Sequence, residues 1–217
     1  MPPVGHRIQL CSIDDAGQVS ELASETFRET WANHPIYTPR DVDLFASQLD
    51  VEYYKGVLGN GAHEVYVLEV LDGKAPGETD ARYAPAGYAQ LLFDVREQGV
   101  SGPGPCVEIQ KFYFHSRYHR TGLAGELMQH VMWRARQVAN TAWLGVHAQN
   151  EKAKRFYRKF GFEWTGQTKL FGVTLAGIPD IDQVWECSLP REESSVRTRA
   201  ESLGRTVQRA PPCWFQT

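Results

Sequence analysis

The chain has 217 residues, 42% of them hydrophobic, with a formal net charge of −3. That length supports one sizeable core, and the slightly acidic balance excludes a general nucleic-acid binder. No run of 18 apolar residues is present and the opening MPPVGHRIQL lacks the apolar block of a signal peptide, so no membrane partner and no export are expected. The four cysteines, Cys11, Cys106, Cys187 and Cys213, are scattered without a C-x-x-C pair. They fit neither a zinc site nor a disulfide framework, so no metal is expected and a reducing, cytoplasmic setting is the default. Charge is uneven: nine Lys/Arg against two Glu between Arg117 and Lys159 give that segment +7 and leave −10 for the remainder. The basic segment suits a bound anion.

In chain order, HRIQLCS reads as a first strand. In DDAGQVSELASETFRETW the residues Val19, Leu22, Ala23, Thr26, Phe27 and Trp31 recur at helical spacing, behind acidic residues suited to a helix start. TPRDVDLFASQLDVEYYKGVL, residues 38–58, reads as a single second helix with Thr38 as N-cap and Pro39 at the first helical position. EVYVLEVLDG and AGYAQLLFDV are strand-like, and the Gly/Pro-rich DGKAPGETDARYAP between them reads as a long loop. After the turn EQGVSGPGP, the β-branched and aromatic CVEIQKFYFH reads as a central strand. Leu123, Leu127, Val131, Ala135 and Val138 then form the buried stripe of a helix. TAWLGVHA is a strand, NEKAKRFYRKFG a helix, and FEWTGQTKL with DQVWECSL closes the sheet. The alternation predicts an α/β (α+β) fold in one domain over residues 1–190. The polar, arginine-rich residues 191–217 read as a mobile tail.

The stretch RYHRTGLAGELMQH, residues 117–130, places two glycines directly ahead of a helical pattern. A strand that turns tightly into a helix leaves main-chain N–H groups pointing outward, and the helix dipole adds about half a positive charge there. Such a bend holds phosphate, or it is an ordinary strand-to-helix connection. Gly122 lets the main chain approach closely, and Ala124 and Gly125 keep the first turn free of bulk. Neither G-x-x-x-x-G-K-[ST] nor G-x-G-x-x-G followed by an acidic strand end is present, which favours a phosphorylated cofactor other than a nucleoside triphosphate or a dinucleotide. Further on, NEKAKRFYRKFGF sets Ala153, Phe156, Tyr157 and Phe160 on one helical face, starts on Asn150 as N-cap and stops at Gly161.

Taken together, H-R-T-G-L-A, the following helix, WLGVHAQN and N-x-x-A-x-x-F-Y-x-x-x-G-F resemble the GNAT superfamily of acetyl-CoA-dependent N-acetyltransferases. The likeness is strongest over residues 105–165. VEIQKFYF and ETFRETWANHPIYTPRD resemble the branch that contains polyamine and other small-amine acetyltransferases. The family's loop reads Q/R-x-x-G-x-G/A; here His119 stands at its first position, and Arg120, Thr121, Gly122, Leu123 and Ala124 fit.

The resemblance implies a mixed central sheet of about six or seven strands flanked by helices, with the strands at CVEIQKFYF and TAWLGVH splayed apart. It implies that the pantetheine arm of acetyl-CoA lies in that splay. Main-chain groups of Phe112, Tyr113 and Phe114 would pair with its amides, and residues His119 to Gly125 would wrap its pyrophosphate. Asn150, a helix cap on its own showing, and Phe156 would touch the pantetheine or acetyl end. A free N–H near Phe112 or Tyr113 would stabilise charge on the thioester oxygen. Tyr157 matches the family's leaving-group acid, against the alternative of a core tyrosine. A tyrosine with a pKa of about 10 is a weaker acid than a thiol of about 8.5, so hydrogen bonding to the developing thiolate is the more modest role.

An alkylamine with a pKa of about 10.4 spends ~4.6 kcal/mol to lose its proton at pH 7, so a proton acceptor is needed. Glu108, on the strand expected to carry the carbonyl site, is the first candidate, and His147 the second. Each has a bland alternative, a hairpin-end carboxylate for Glu108 and a packing histidine for His147. Lys152, Lys154, Arg155, Arg158 and Lys159 make a basic helix face that is either solvated or near the cofactor's phosphates. By resemblance, Trp31, His34 and Tyr37 line the acceptor entrance, with aromatic packing at a helix junction as the alternative. Three functions remain open: acetyl transfer to a small-molecule amine in a ternary complex, acetylation of a protein lysine or N-terminus, and acyl-CoA sensing without turnover. Association as a homodimer is also open.

Overall fold

The computed structural model describes residues 5–71 and 82–190. The expected tail, Cys213 and most of the Gly/Pro-rich loop lie outside them. Among the described residues seven strands, β1 (His6–Leu10), β2 (His63–Leu71), β3 (Tyr83–Phe93), β4 (Cys106–Phe114), β5 (Thr141–His147), β6 (Glu163–Val173) and β7 (Pro179–Ser188), form one sheet in the order β1-β2-β3-β4-β5-β7-β6. Every neighbouring pair is antiparallel except β4–β5. The mixed α/β architecture expected from the alternating pattern is present.

Strand alternation divides the core. On β5, Ala142, Leu144 and Val146 face α4 (Leu123–Val138) and α5 (Glu151–Arg158), where Leu127, Val131 and Ala135 supply the helical stripe. The opposite face of the sheet, through Val65, Val67 and Tyr88, packs on α1 (Ala16–Trp31), α2 (Pro39–Ser47) and α3 (Val51–Leu58). Val19, Leu22, Ala23, Phe27 and Trp31 are the buried stripe of α1. No helix among the described residues is long and apolar enough to cross a membrane.

The single helix expected over residues 38–58 is two. Its apolar spacing continues through Leu49, but tertiary hydrogen bonds capture the carbonyls where it breaks: Ser20 Oγ donates to Leu49 O at 2.8 Å and Ser24 Oγ to Ala46 O at 3.0 Å. Asp50 then restarts the chain as the N-cap of α3, accepting from Tyr53 N at 2.8 Å. Thr38 and Pro39 open α2 as their sequence predicts, and Asp41 completes a capping box there.

Two local features create the central gap. β4 and β5 pair over only three positions, Cys106↔Thr141, Val107↔Ala142 and Glu108↔Trp143. Immediately beyond, the β3–β4 register jumps from Leu91↔Ile109 to Gln90↔Lys111, leaving Gln110 as a bulge. A bulge bends its strand and raises local twist, so β4 turns away from β5 where their pairing ends. The β5-facing main chain of β4 from Ile109 onward therefore has no strand partner among the described residues.

Candidate active site

The gap opens into a cavity of about 720 Å³ walled by β4 on one side and by β5 and α5 on the other. Phe112 and Phe114 face the α4 side, where Phe112 packs on Phe156 with ring centroids 5.5 Å apart. Tyr113, one residue out of phase, points to the opposite face and stacks on Tyr88 at 6.0 Å. All three line the cavity, so the expected strand of cofactor contacts borders the gap.

The glycine bend closes one end. Gly122 is the N-cap of α4 with φ +94°, and Arg120 has φ 67°. Two left-handed residues so close together curl the main chain; the N–H groups of His119, Thr121, Leu123 and Gly125 are bonded within the loop, and those between them suit an anion. A Cβ added at Gly122 or Gly125 meets nothing within 4 Å, so the space before the helix is open. His119, Arg120 and Ala124 line the cavity. Thr121 Oγ1 instead donates to Tyr118 O at 2.7 Å and accepts from Leu123 N at 3.4 Å, and the Leu123 side chain is fully buried, so neither side chain is turned to a ligand.

Lys152, from the first turn of α5, reaches across to this loop and donates from Nζ to His119 Nδ1 at 2.9 Å. Burial and the Lys152 charge hold the His119 pKa below the usual imidazole value, while burial and Arg120 lower that of Lys152. Among the described residues neither Arg120 nor Lys152 has a carboxylate at ion-pair distance. Unpaired cations beside left-handed amides fit a diphosphate. With the unpaired edge of β4 able to meet amide groups, the residues present fit coenzyme A.

α5 delivers Tyr157. Asn150 accepts from Ala153 N at 3.0 Å to start the helix, and Phe162 N donates to Tyr157 O at 3.3 Å across Gly161, φ +83°, to end it. The Tyr157 ring rests against Phe156 and Phe162. Tyr157 lines the cavity, and its hydroxyl makes no hydrogen bond among the described residues. Burial foremost, with Tyr113 and Asp182 nearby, pushes its pKa well above that of an ordinary phenol. At working pH it is a proton-bearing donor awaiting an acceptor.

The opposite end is polar. Glu108 is 5% exposed, lines the cavity and accepts from Lys169 Nζ at 3.3 Å. Trp31 and His34 also line it. Trp31 stacks edge-on against His34, Tyr37 and His147. Tyr37 does not reach the cavity; it is buried behind the wall, where its hydroxyl donates to Asp180 Oδ2. His147 Nδ1 accepts from Gln149 N at 3.1 Å and lies 3.3 Å from His34 Nε2. On its other side Nε2 is 3.1 Å from Asp180 Oδ1, close enough for an ion pair though out of line for a hydrogen bond. His147 is thus engaged at both nitrogens.

Asp182, Lys169 and Asp180 have no counterpart among the residues singled out from the sequence. Asp182 sits opposite His147 on β5 and Lys169 on β6, so the three side chains share one face. Gly145 makes room for them, since a Cβ there would come within 2.6 Å of Asp182 Oδ2 and 2.8 Å of Lys169 Cε. In DQVWECSL nothing separates Asp182 from an exposed strand carboxylate, because its face becomes a cavity wall only through the splay.

Two hydrogen bonds also tie the segments at this polar end together. Asp41, fully buried, accepts from Thr38 N at 2.8 Å and, through its other oxygen, from Leu175 N at 2.6 Å. This bond and the Tyr37–Asp180 bond tie the α1–α2 connection and the start of α2 to the β6–β7 hairpin. Burial would raise the Asp41 pKa, but the bonds from Thr38 and Leu175 prevail and hold it below the usual carboxylate value. The staple therefore stabilises the fold above the ordinary carboxyl range and is lost as pH falls through that lowered value. Asp41→Ala is expected to cost about 1.5–3 kcal/mol, the range for hydrogen bonds to a charged group. Thermal melts against pH check this: the wild type loses the difference on acidification, and the variant has none to lose.

Comparison with known proteins supplies the family. The model of the acetyltransferase (GNAT) family matches residues 18–162. An uncharacterized N-acetyltransferase of Mycobacterium tuberculosis (strain H37Rv) is 31% identical over 157 residues, covering 70% of this chain and 85% of that protein. Among solved structures, the PaiA N-acetyltransferase of Thermoplasma acidophilum in complex with coenzyme A aligns with TM-score 0.58 at 17% identity, covering 85% of this chain and 99% of that one. Arabidopsis thaliana NAA60 in complex with a bisubstrate analogue aligns with TM-score 0.61 at 15% identity, covering 87% and 100%. The sheet order, the splayed parallel pair and the glycine bend have their explanation here: the chain belongs to the acetyltransferase (GNAT) family and is, by that membership, an N-acetyltransferase.

Proposed function

We propose that the protein transfers the acetyl group of acetyl-CoA to a primary amine of a small molecule, by direct attack in a ternary complex. The observation that carries the small-molecule reading is the stapled acceptor end. A peptide needs a groove open along its length, whereas the Asp41–Leu175 and Tyr37–Asp180 bonds join the two segments that would have to part to make one.

Acetyl-CoA supplies an acetyl group activated as a thioester. The main chain of His119 to Gly125, with Arg120 and Lys152, holds its diphosphate. The unpaired edge of β4 at Phe112, Tyr113 and Phe114, with Asn150 and Phe156 opposite, orients the arm. An N–H on this stretch of β4 faces the carbonyl oxygen as charge builds there. Tyr157 donates its O–H to the departing sulfur. Trp31 and His34 shape the acceptor end, and Glu108, fixed by Lys169, receives the acceptor's ammonium. The acidic surroundings draw a cation inward.

Release of free thiol from acetyl-CoA, followed with polyamines, amino acids and peptides, tests the reading. Small amines are expected to raise release. A response to peptides alone would overturn the acceptor class, and binding without release by any acceptor would leave a sensor. Within the leading reading, Glu108→Gln is expected to raise the acceptor KM about tenfold, the loss of one charge-assisted hydrogen bond, with coenzyme A affinity unchanged by calorimetry.

A further inference from the structure

Resting on the acetyl-transfer reading above, we propose that Asp182 is the group that takes the proton from the acceptor amine. Three carboxyl groups line the cavity, those of Glu29, Glu108 and Asp182. Glu29 is committed to Ser116 N at 2.5 Å and His115 Nδ1 at 2.9 Å, and Glu108 to Lys169 at 3.3 Å. Asp182 is 7% exposed, yet among the described residues its oxygens accept no hydrogen bond and meet no cation at ion-pair distance. A buried carboxyl without a partner is costly unless something in the cavity completes it. An amine nitrogen arriving between Glu108 and Tyr157 does so.

The location is built. The Asp182 carboxyl lies over β5 at Gly145, where any side chain would displace it. It is faced by Lys169 from β6, His147 from β5, Asp180 on its own strand, Glu108 from β4 and Tyr157 from α5. Tyr113 on β4 and Tyr37 before α2 also feel its charge. Burial foremost, reinforced by Asp180 and Glu108, outweighs Lys169 and His147 and pushes the carboxyl up to about 7. Against an ordinary aspartate, that improves its equilibrium as a proton acceptor about a thousandfold, while leaving a large fraction ionised at neutral pH. The committed partners of Glu108 suit it to binding and those of His147 to packing.

The acceptor nitrogen loses two protons in becoming an amide. Asp182 Oδ takes the first, freeing the lone pair that forms the N–C bond as the C–S bond breaks with its electron pair on sulfur. The second proton ends on that sulfur, and Asp182 returns its own to solvent. Charge and atoms then balance with one proton released per turnover.

The test uses the full chain with the amine that gives the fastest thiol release. Asp182→Asn keeps the shape and removes the cost of the buried charge, so the melting temperature should equal or exceed that of wild type while coenzyme A affinity stays near it. We expect kcat to fall about 10²-fold with acceptor KM changed less than about threefold, and the rise of wild-type kcat through pH 7 to be absent from the variant. An unchanged kcat, or a rise that persists in the variant, overturns the assignment. Carbon-13 spectra of aspartate-labelled wild type with coenzyme A bound need no turnover. A carboxyl titrating near neutrality and missing from Asp182→Asn supports it, and titration of that carboxyl in the ordinary range overturns it. Absence of thiol release with every amine would overturn the transfer reading itself, an outcome distinct from either.

Discussion

Tyr157→Phe is expected to lower kcat about 10²- to 10³-fold, the usual loss when one donor to developing charge is removed, while coenzyme A binds as before. The ring is held by Phe156 and Phe162 and the phenylalanine fills the same space, so the change isolates the hydroxyl. Burial raises the tyrosine pKa, which makes complete proton transfer to sulfur harder and keeps the O–H intact across the working pH range. The contribution is therefore a hydrogen bond that strengthens as the sulfur gains charge, and such a bond acts on kcat rather than on binding. Steady-state thiol release beside calorimetry measures both. An unchanged kcat would remove Tyr157 from the chemistry, and a matching loss of affinity would make it a binding residue.

Gly122→Val is expected to weaken coenzyme A binding about tenfold to thirtyfold. The reason is conformational, since a Cβ at this position meets nothing within 4 Å. At φ +94° a non-glycine residue is strained by about 1–2 kcal/mol, and β-branching adds to this. In the free protein the loop relieves the strain by turning to negative φ, which swings the following amides away from the ligand. Binding must restore the strained state, so the cost falls on affinity. Calorimetry reads this directly, and an unaltered dissociation constant would contradict the role of the bend.

The features legible in the sequence are those set by neighbours along the chain. The α4 stripe, the Thr38 and Asn150 caps and the Gly161 stop depend on residues three or four positions away, and they fall where expected. The family motif singled out Tyr157 and the aromatic run of β4, and a place on that same strand singled out Glu108; all of them line the cavity. What the sequence hid depends on distant partners. The break between α2 and α3 is made by serines of α1 on carbonyls more than twenty residues on, against an apolar spacing that continues through it. The bulge at Gln110 carries no glycine or proline to announce it. Asp182 acquires its meaning from Gly145, Lys169 and the splay, all supplied by other strands. Tyr37, read as an entrance residue, is a tie behind the wall because Asp180 of β7 lies opposite its hydroxyl.

The account depends on the gap between β4 and β5, with its glycine bend, being a coenzyme A site. Calorimetric titration of acetyl-CoA into the wild-type chain tests this most directly. Saturable binding of one molecule per chain, weakened in Gly122→Val and preserved in Asp182→Asn, is the predicted result. No heat of binding in the wild type, or equal binding in all three proteins, would contradict it.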